Sequence, residues 1–223
     1  MINQIEEALR RALQNQPGDF LLSTKQEDYL TYRISSEITN NNTNSLFPAQ
    51  WKRFDIVEIT QANNQILKAF EAKYHYSSDF TNLTDYGEKC LRSDYDKLIG
   101  SEILLNSQKY LLQFIVHFNE SHIITWNNHL NGNTFGFNRN SKYFTYIHNG
   151  ALNRINPELH FRNTRDNIYN GNFNELYIRE INSFRLNLQF EGSFYIDLSN
   201  ATVRFRGTEF HIPHEFHCFL WKI

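Results

Sequence analysis

The sequence predicts an α/β protein: helices and strands mix in the N-terminal half, and a β-rich lobe follows. Three observations predict this. Apolar residues recur at helical spacing in three stretches before residue 100. Two strand-like runs, Phe54 to Thr60 and Ile66 to Tyr76, flank a short polar turn. Beyond residue 120 or so, helical periodicity gives way to short alternating runs. At 223 residues, 40% hydrophobic and 21% charged, the chain can bury one sizeable core or two small ones.

In chain order, Ile5, Leu9, Ala12 and Leu13 keep helical spacing until Pro17 and Gly18 stop the helix. Ser23 or Thr24 can cap a second helix, with Tyr29, Leu30, Ile34 and Ile38 on one face as far as Thr39. An Asn-rich loop, 40–45, leads to the two strand runs, which read as a β-hairpin turning around Gln61 to Asn64. A third helix runs from about Asp85 through Cys90, Leu91, Tyr95, Leu98 and Ile99 to Gly100. Tyr110 to Phe118 is the most hydrophobic strand. Later runs, Tyr143 to Ile147, Leu176 to Ile181, Arg185 to Phe190, Phe194 to Leu198 and Val203 to Phe205, read as strands. With neither linker nor repeat, the β-rich part either extends the first sheet or forms its own lobe. The division taken is an α/β core over 1–120 and a β-rich lobe over 121–223.

With 22 basic against 24 acidic residues and a net charge of -2, a uniformly basic nucleic-acid coat and an acidic tail protein are both excluded. The longest apolar run, around Leu111 to Val116, is far short of a membrane helix. The charged start Met1-Ile-Asn-Gln-Ile-Glu-Glu lacks the shape of a signal peptide, so a soluble, cytoplasmic protein is expected. Cys90 and Cys218, far apart and without Cys-x-x-Cys spacing, are expected to be reduced thiols.

The chemically informative residues are Asp55 and Glu71-Ala72-Lys73. In a strand the side-chain period is two, so Glu71 and Lys73 share a face, with Phe70, Ala72 and Tyr74 on the other. Bringing Asp55 beside Glu71 requires residue 55 opposite 71, which centres the turn on Asn63 and demands an odd loop or a bulge. Two converging carboxylates can hold Mg²⁺ through oxygen, leaving coordination positions for water and a phosphate oxygen. An ammonium at Lys73 can position the attacking water and offset charge on phosphorus. The alternative is an exposed strand face whose ions contribute under ~1 kcal/mol.

Asp55 with Glu71-Ala72-Lys73 in a hairpin, a preceding helix with Glu37, and a following helix with Asp96-Lys97-Leu98 resemble the PD-(D/E)XK nuclease superfamily over roughly residues 24–118. Phe54 stands where the name-giving proline would be. The resemblance implies a restriction-endonuclease-like mixed sheet flanked by helices and a metal-dependent endonuclease hydrolysing DNA, of restriction or defence type. It implies Asp55 and Glu71 as Mg²⁺ ligands, with Mn²⁺ as substitute, Lys73 as catalytic lysine and Glu37 as the helix-borne acid at the metal. It also implies a homodimer, with a methyltransferase or defence subunit as companion. For Glu37 a solvated pair with Arg33, four residues away, is the competing reading.

Other residues are candidates for nucleic-acid contact. His75 shares the face of Lys73 and can touch a phosphate or simply end the strand, and Lys97 can reach a phosphate. Arg204 and Arg206 share a strand face, with Arg162, Arg165, Arg179 and Arg185 elsewhere in the β-rich part. Residues 139–206 carry nine basic and six acidic residues, against 12 and 15 in 1–111, so an electropositive docking surface is expected on the β-rich lobe, unless these are plain solvated faces. His211, His214, His217 and Cys218 hold four potential zinc ligands, but spacings of three do not align on a strand and Pro213 interrupts them. No Gly-rich phosphate loop, Gly-x-Ser-x-Gly elbow or His-Glu-x-x-His pair occurs, which argues against kinases, α/β-hydrolases and zincins. The rival to a nuclease is a non-enzymatic binding module whose 12 Tyr, 19 Phe and 3 Trp supply platforms for carbohydrate or protein.

Overall fold

The computed structural model of the chain describes residues 1–14, 26–76, 86–117, 173–205, 208–211 and 214–223, with the backbone alone at 76, 86, 202–205 and 208–211. Helix α1, Ile2–Leu13, buries Ile5, Ala8, Leu9, Ala12 and Leu13, and α2, Glu27–Asn40, buries Leu30, Thr31, Ile34, Ser35 and Ile38. These are the apolar stripes that helical spacing predicts. Two short strands, β1 (Ser45–Leu46) and β2 (Ala49–Trp51), precede the hairpin strands β3 (Phe54–Thr60) and β4 (Ile66–Tyr76). Helix α3, Tyr86–Ile99, leads to β5, Gln108–His117. After residue 172 come α4 (Phe173–Ser183), β6 (Gln189–Leu198), β7 (Thr202–Phe205), β8 (Thr208–His211) and β9 (His214–Lys222). No described helix is long and apolar enough to cross a membrane.

Among the described residues, seven strands form one mixed sheet in the order β1-β3-β4-β5-β9-β6, with β2 also on β3, while β7 and β8 pair separately. The β4–β5 pair is parallel and the others are antiparallel. A parallel pair needs a long crossover, and α3 lies on it. The β3–β4 ladder pairs Ile56 with Phe70, Val57 with Ala69 and Glu58 with Lys68, then shifts at a bulge between Glu58 and Ile59. That bulge supplies the odd residue needed to bring Asp55 level with Glu71.

Both faces of the sheet are covered, so β5 is buried on both sides. Tyr110, Leu112, Phe114 and Val116 join Leu9, Leu30 and Ile34 in one core, while Leu111 and Ile115 join Leu91, Leu98, Tyr177 and Ile181 in the other. Strands buried on both faces read as continuous hydrophobic runs, which explains the texture of Tyr110 to Val116. Within β6 the register shifts between Phe190 and Gly192. Gly192 has φ +152°, and a Cβ there would meet Ile2 of α1 at 3.3 Å. The glycine therefore lets α1 lie close on the sheet.

Two strand assignments in the sequence reading need correction. Leu176 to Ile181 is not a strand: it lies in α4, whose buried residues Phe173, Tyr177 and Ile181 recur every four positions. Its alternating apolar run was short enough to suit either period. Arg185 to Phe190 is mostly loop, with β6 beginning at Gln189. Strands β6 and β9, from the part read as β-rich, are hydrogen-bonded into the same sheet as β4 and β5. Tyr143 to Ile147 lies outside the described residues.

If β9 belongs to the same cooperative unit as the N-terminal helices, Phe216→Ala should weaken the whole. Phe216 is fully buried against Phe114, with ring centroids 6.0 Å apart. Its truncation is expected to cost about 3–5 kcal/mol in urea unfolding, with one transition common to far-UV circular dichroism and tryptophan fluorescence. Two separate transitions would show that the C-terminal strands fold apart from α1 and α2.

Candidate functional site

The β3–β4 ladder stops at the pair Ile56 and Phe70, but β4 continues to Tyr76. Its overhanging N–H groups at Ala72 and Tyr74 go to side chains. The Ala72 N–H donates to Asp55 Oδ2 at 2.7 Å, and the Tyr74 N–H donates to Glu27 Oε2 at 3.0 Å. Buried backbone donors need partners, so the overhang recruits a carboxylate at each of these positions. Asp55 comes from the start of β3 and Glu27 from the first turn of α2. Gln50 of β2 donates from Nε2 to both Asp55 Oδ1 and Asp28 Oδ1, each at 3.2 Å.

Glu71 and Lys73 flank Ala72 and turn toward α3. Lys73 Nζ lies 3.5 Å from Glu27 Oε1 and 3.8 Å from Asp94 Oδ2, and Lys97 Nζ donates to Glu71 Oε2 at 2.6 Å. Lys97 Nζ also sits 5.5 Å from the centre of the Phe54 ring. Four carboxylates, Asp55, Glu71, Asp94 and Glu27, thus surround two ammonium groups.

Burial dominates the electrostatics of the acids. Glu71 is 3% exposed, and burial pushes its carboxyl up to about 8 against the pull of Lys97, with Asp55 adding to the rise. Asp94 is raised to about 6, again first by burial, with Lys73 opposing and Asp55 and Glu27 reinforcing. Burial raises Glu27 as well. For Lys73 burial works against the charge, but Asp94, Glu27 and Asp55 together hold its ammonium above the ordinary lysine value. Lys73 is therefore a fixed positive charge among acids.

A hard divalent cation fits this chemistry. With all four acids ionised, two exceed the ammonium groups and match its charge, and the buried Glu71 Oε1 has no hydrogen-bond partner among the described residues. Asp55 and Glu71 are the residues that would hold it. Among the described residues no group of three His, Cys, Asp or Glu side chains is placed to hold a metal ion, and Glu71 Oε2 is taken by Lys97.

The sequence-derived candidates divide. Asp55, Glu71 and Lys73 come together, and Lys97 joins them through Glu71. Glu37 does not. It lies ten residues beyond Glu27, about 15 Å along α2, and pairs with Arg11 of α1 instead of Arg33. His75 is wholly buried and cannot touch a phosphate. Arg204 pairs across β7–β8 with Glu209 in backbone register, and Arg206 lies outside the described residues, as do Arg162 and Arg165. His214 and His217 are buried in β9 three positions apart, and the His217 ring nitrogens lie 2.9 Å from Asn174 Oδ1 and 2.8 Å from Glu215 Oε2. Cys90 and Cys218 are free thiols.

Three site residues escaped the sequence reading: Glu27, Asp94 and Gln50. The first two had a signal. Glu27 continues the buried stripe of Thr31, Ile34 and Ile38 by one turn, and Asp94 stands at an inward position between Leu91 and Leu98. A carboxylate on an apolar stripe is the pattern to look for. Gln50 has no such periodic cue. Comparison of the chain with known protein families, curated proteins and solved structures finds no match.

Glu71 holds its proton to about 8 in the folded chain, against 4.5 ordinarily, so the folded state binds more protons between those values. Stability should fall as pH rises from about 4.5 to 8, and each unit of difference is worth about 1.4 kcal/mol. Glu71→Gln is expected to flatten this fall and raise Tm at pH 8 in EDTA. A Tm no higher than that of the unsubstituted chain at pH 8 would show that Glu71 is comfortably ionised.

Proposed function

We propose that the chain is a metal-dependent deoxyribonuclease of the PD-(D/E)XK type, acting on DNA phosphodiester bonds with Mg²⁺, or Mn²⁺ in its place. One observation carries this reading: the Asp55 carboxylate is bonded to the backbone amide between Glu71 and Lys73. Three residue types that phosphodiester hydrolysis needs are thereby gathered at one end of the hairpin, and among the described residues the buried Glu71 Oε1 has no partner. Asp55 and Glu71 would hold the cation, which when bound supplies Lewis-acid stabilisation of the leaving oxygen and an ionisable water.

Lys73 keeps its proton and so acts as an oriented charge, offsetting negative charge that builds on the phosphoryl oxygens. Asp94 and Glu27 hold that ammonium in place. Glu27 takes the position at the site that the family resemblance assigned to Glu37. Gln50 orients Asp55 from the outer side. A homodimer acting on both strands, in a restriction or defence setting, follows from the same reading by analogy. The rival binding-module reading has one specific observation in its favour: Phe190 and Tyr195 are exposed on the edge strand β6.

Incubation with a random-sequence linear DNA library and Mg²⁺ or Mn²⁺ tests both. Cleavage is expected, and EDTA should abolish it. Asp55→Asn, Glu71→Gln and Lys73→Met should each lower it by about 10²–10⁴-fold, and Glu37→Gln should leave it within about twofold. Cleavage that survives Glu71→Gln and Lys73→Met would remove the site from the mechanism. Absence of cleavage, together with protein or carbohydrate binding lost on Tyr195→Ala, would favour the binding module.

A further inference from the structure

The turn from β2 into β3 is built against the ordinary preferences of its residues. It has two central residues, Lys52 and Arg53, closing on the pair Trp51 and Phe54. Both are left-handed, with φ 47° and 77°, and Gln50 just before them is left-handed too, at φ 53°. A two-residue hairpin turn with both φ positive is the type that favours Asn-Gly, because a Cβ is sterically disfavoured there. Three non-glycine residues within four positions therefore hold strain that Asn-Gly in the turn would largely relieve. Strain of this kind is kept where the surrounding structure or a function demands it.

What the turn carries is charge. Lys52 and Arg53 are both exposed, and neither forms an ion pair among the described residues. Arg10, Arg11, Lys68, Lys73, Arg92 and Lys97 have carboxylate partners, whereas Arg33, Lys109, Arg179, Arg185 and Lys222 share with Lys52 and Arg53 the lack of an ion pair among the described residues. It is the place of Lys52 and Arg53 beside Asp55 that singles them out. The Lys52 ammonium lies 4.6 Å from the centre of the Trp51 ring. Position matters as much as charge. Arg53 is two residues before Asp55, Gln50 donates to Asp55, and Phe54 between them lies under Lys97. A polyanion approaching this acidic site meets net repulsion, which exposed cations two or three residues from Asp55 would offset.

We propose that Lys52 and Arg53 each grip a phosphate of the polynucleotide backbone near the one that is cleaved, and that the turn dispenses with glycine in order to carry them. This rests on the nuclease reading of the site. It adds a substrate-contacting element outside the Asp55, Glu71 and Lys73 set, on β2–β3 and not on the C-terminal strands. The contact is with backbone phosphate, so it should act on every sequence alike.

The double substitution Lys52→Asn with Arg53→Gly separates strain from binding, because the two readouts should move in opposite directions. Tm should rise by a few degrees as the turn gains its preferred residues. Affinity for a 20-base-pair duplex, measured by fluorescence anisotropy in EDTA across a salt series, should fall about tenfold or more. The slope of log affinity against log salt should become shallower by about 1.8, or 0.9 for each lost phosphate contact. Lys52→Gln and Arg53→Gln, which leave the backbone demand unchanged, should each give about half the slope change, and they serve alone if the double variant does not fold. Variants that bind with unchanged affinity and slope overturn the proposal and leave the nuclease reading standing. A parent chain that binds no duplex at any salt concentration overturns the proposal together with DNA as the substrate.

Discussion

The overhang of β4 beyond the end of β3 is the constraint on which the site depends. A strand that outruns its neighbour leaves backbone N–H groups needing partners, and leaving one buried and unmet costs about 1–3 kcal/mol. Here the Ala72 and Tyr74 N–H groups are met by Asp55 and Glu27. Those two acids are thus fixed by backbone hydrogen bonding, at a spacing set by the strand's own period of two. Glu71 and Lys73 alternate with Ala72 and Tyr74 along β4. The geometry of the cluster follows from the sheet.

Such a cluster is poorly suited to stabilising a fold. Buried ion pairs seldom recover the cost of removing their charges from water, and this one is unbalanced, with four carboxylates against two ammonium groups. The upward shifts of Glu71 and Asp94 express the imbalance: burial and mutual repulsion make ionisation difficult. A divalent cation would reverse that electrostatic sign and make the ionised carboxylates favourable. The buried Glu71 Oε1, which has no hydrogen-bond partner among the described residues, would gain one from such an ion. The Lys97 ammonium on Glu71 fills part of that role within the chain.

Much of this was legible in the sequence, for identifiable reasons. Alternation fixed the faces of Phe54 to Thr60 and Ile66 to Tyr76, and the requirement that residue 55 stand level with 71 demanded the irregularity found at Glu58 and Ile59. Helix α3 was marked by its apolar period and by Gly100 at its end. Glu37 was read as the helix-borne acid and Glu27, which bonds the β4 overhang, was passed over, because periodicity shows which face of a helix is buried, not which end of it crosses β4. The misreading of Leu176 to Ile181 has a similar cause. Leu176, Tyr177 and Ile178 are consistent with either period, and only packing of Phe173, Tyr177 and Ile181 against the sheet resolves them. Gln50 and its left-handed backbone belong to a turn conformation that Lys-Arg does not advertise.

The central claim is that the carboxylates gathered at the β4 overhang bind one divalent cation. Anomalous diffraction from crystals soaked in Mn²⁺ tests it most directly. The account predicts a manganese peak coordinated by Asp55 and Glu71, with the Lys97 ammonium displaced from Glu71. A peak confined to other residues, or Lys97 still seated on Glu71 at saturating Mn²⁺, would contradict it.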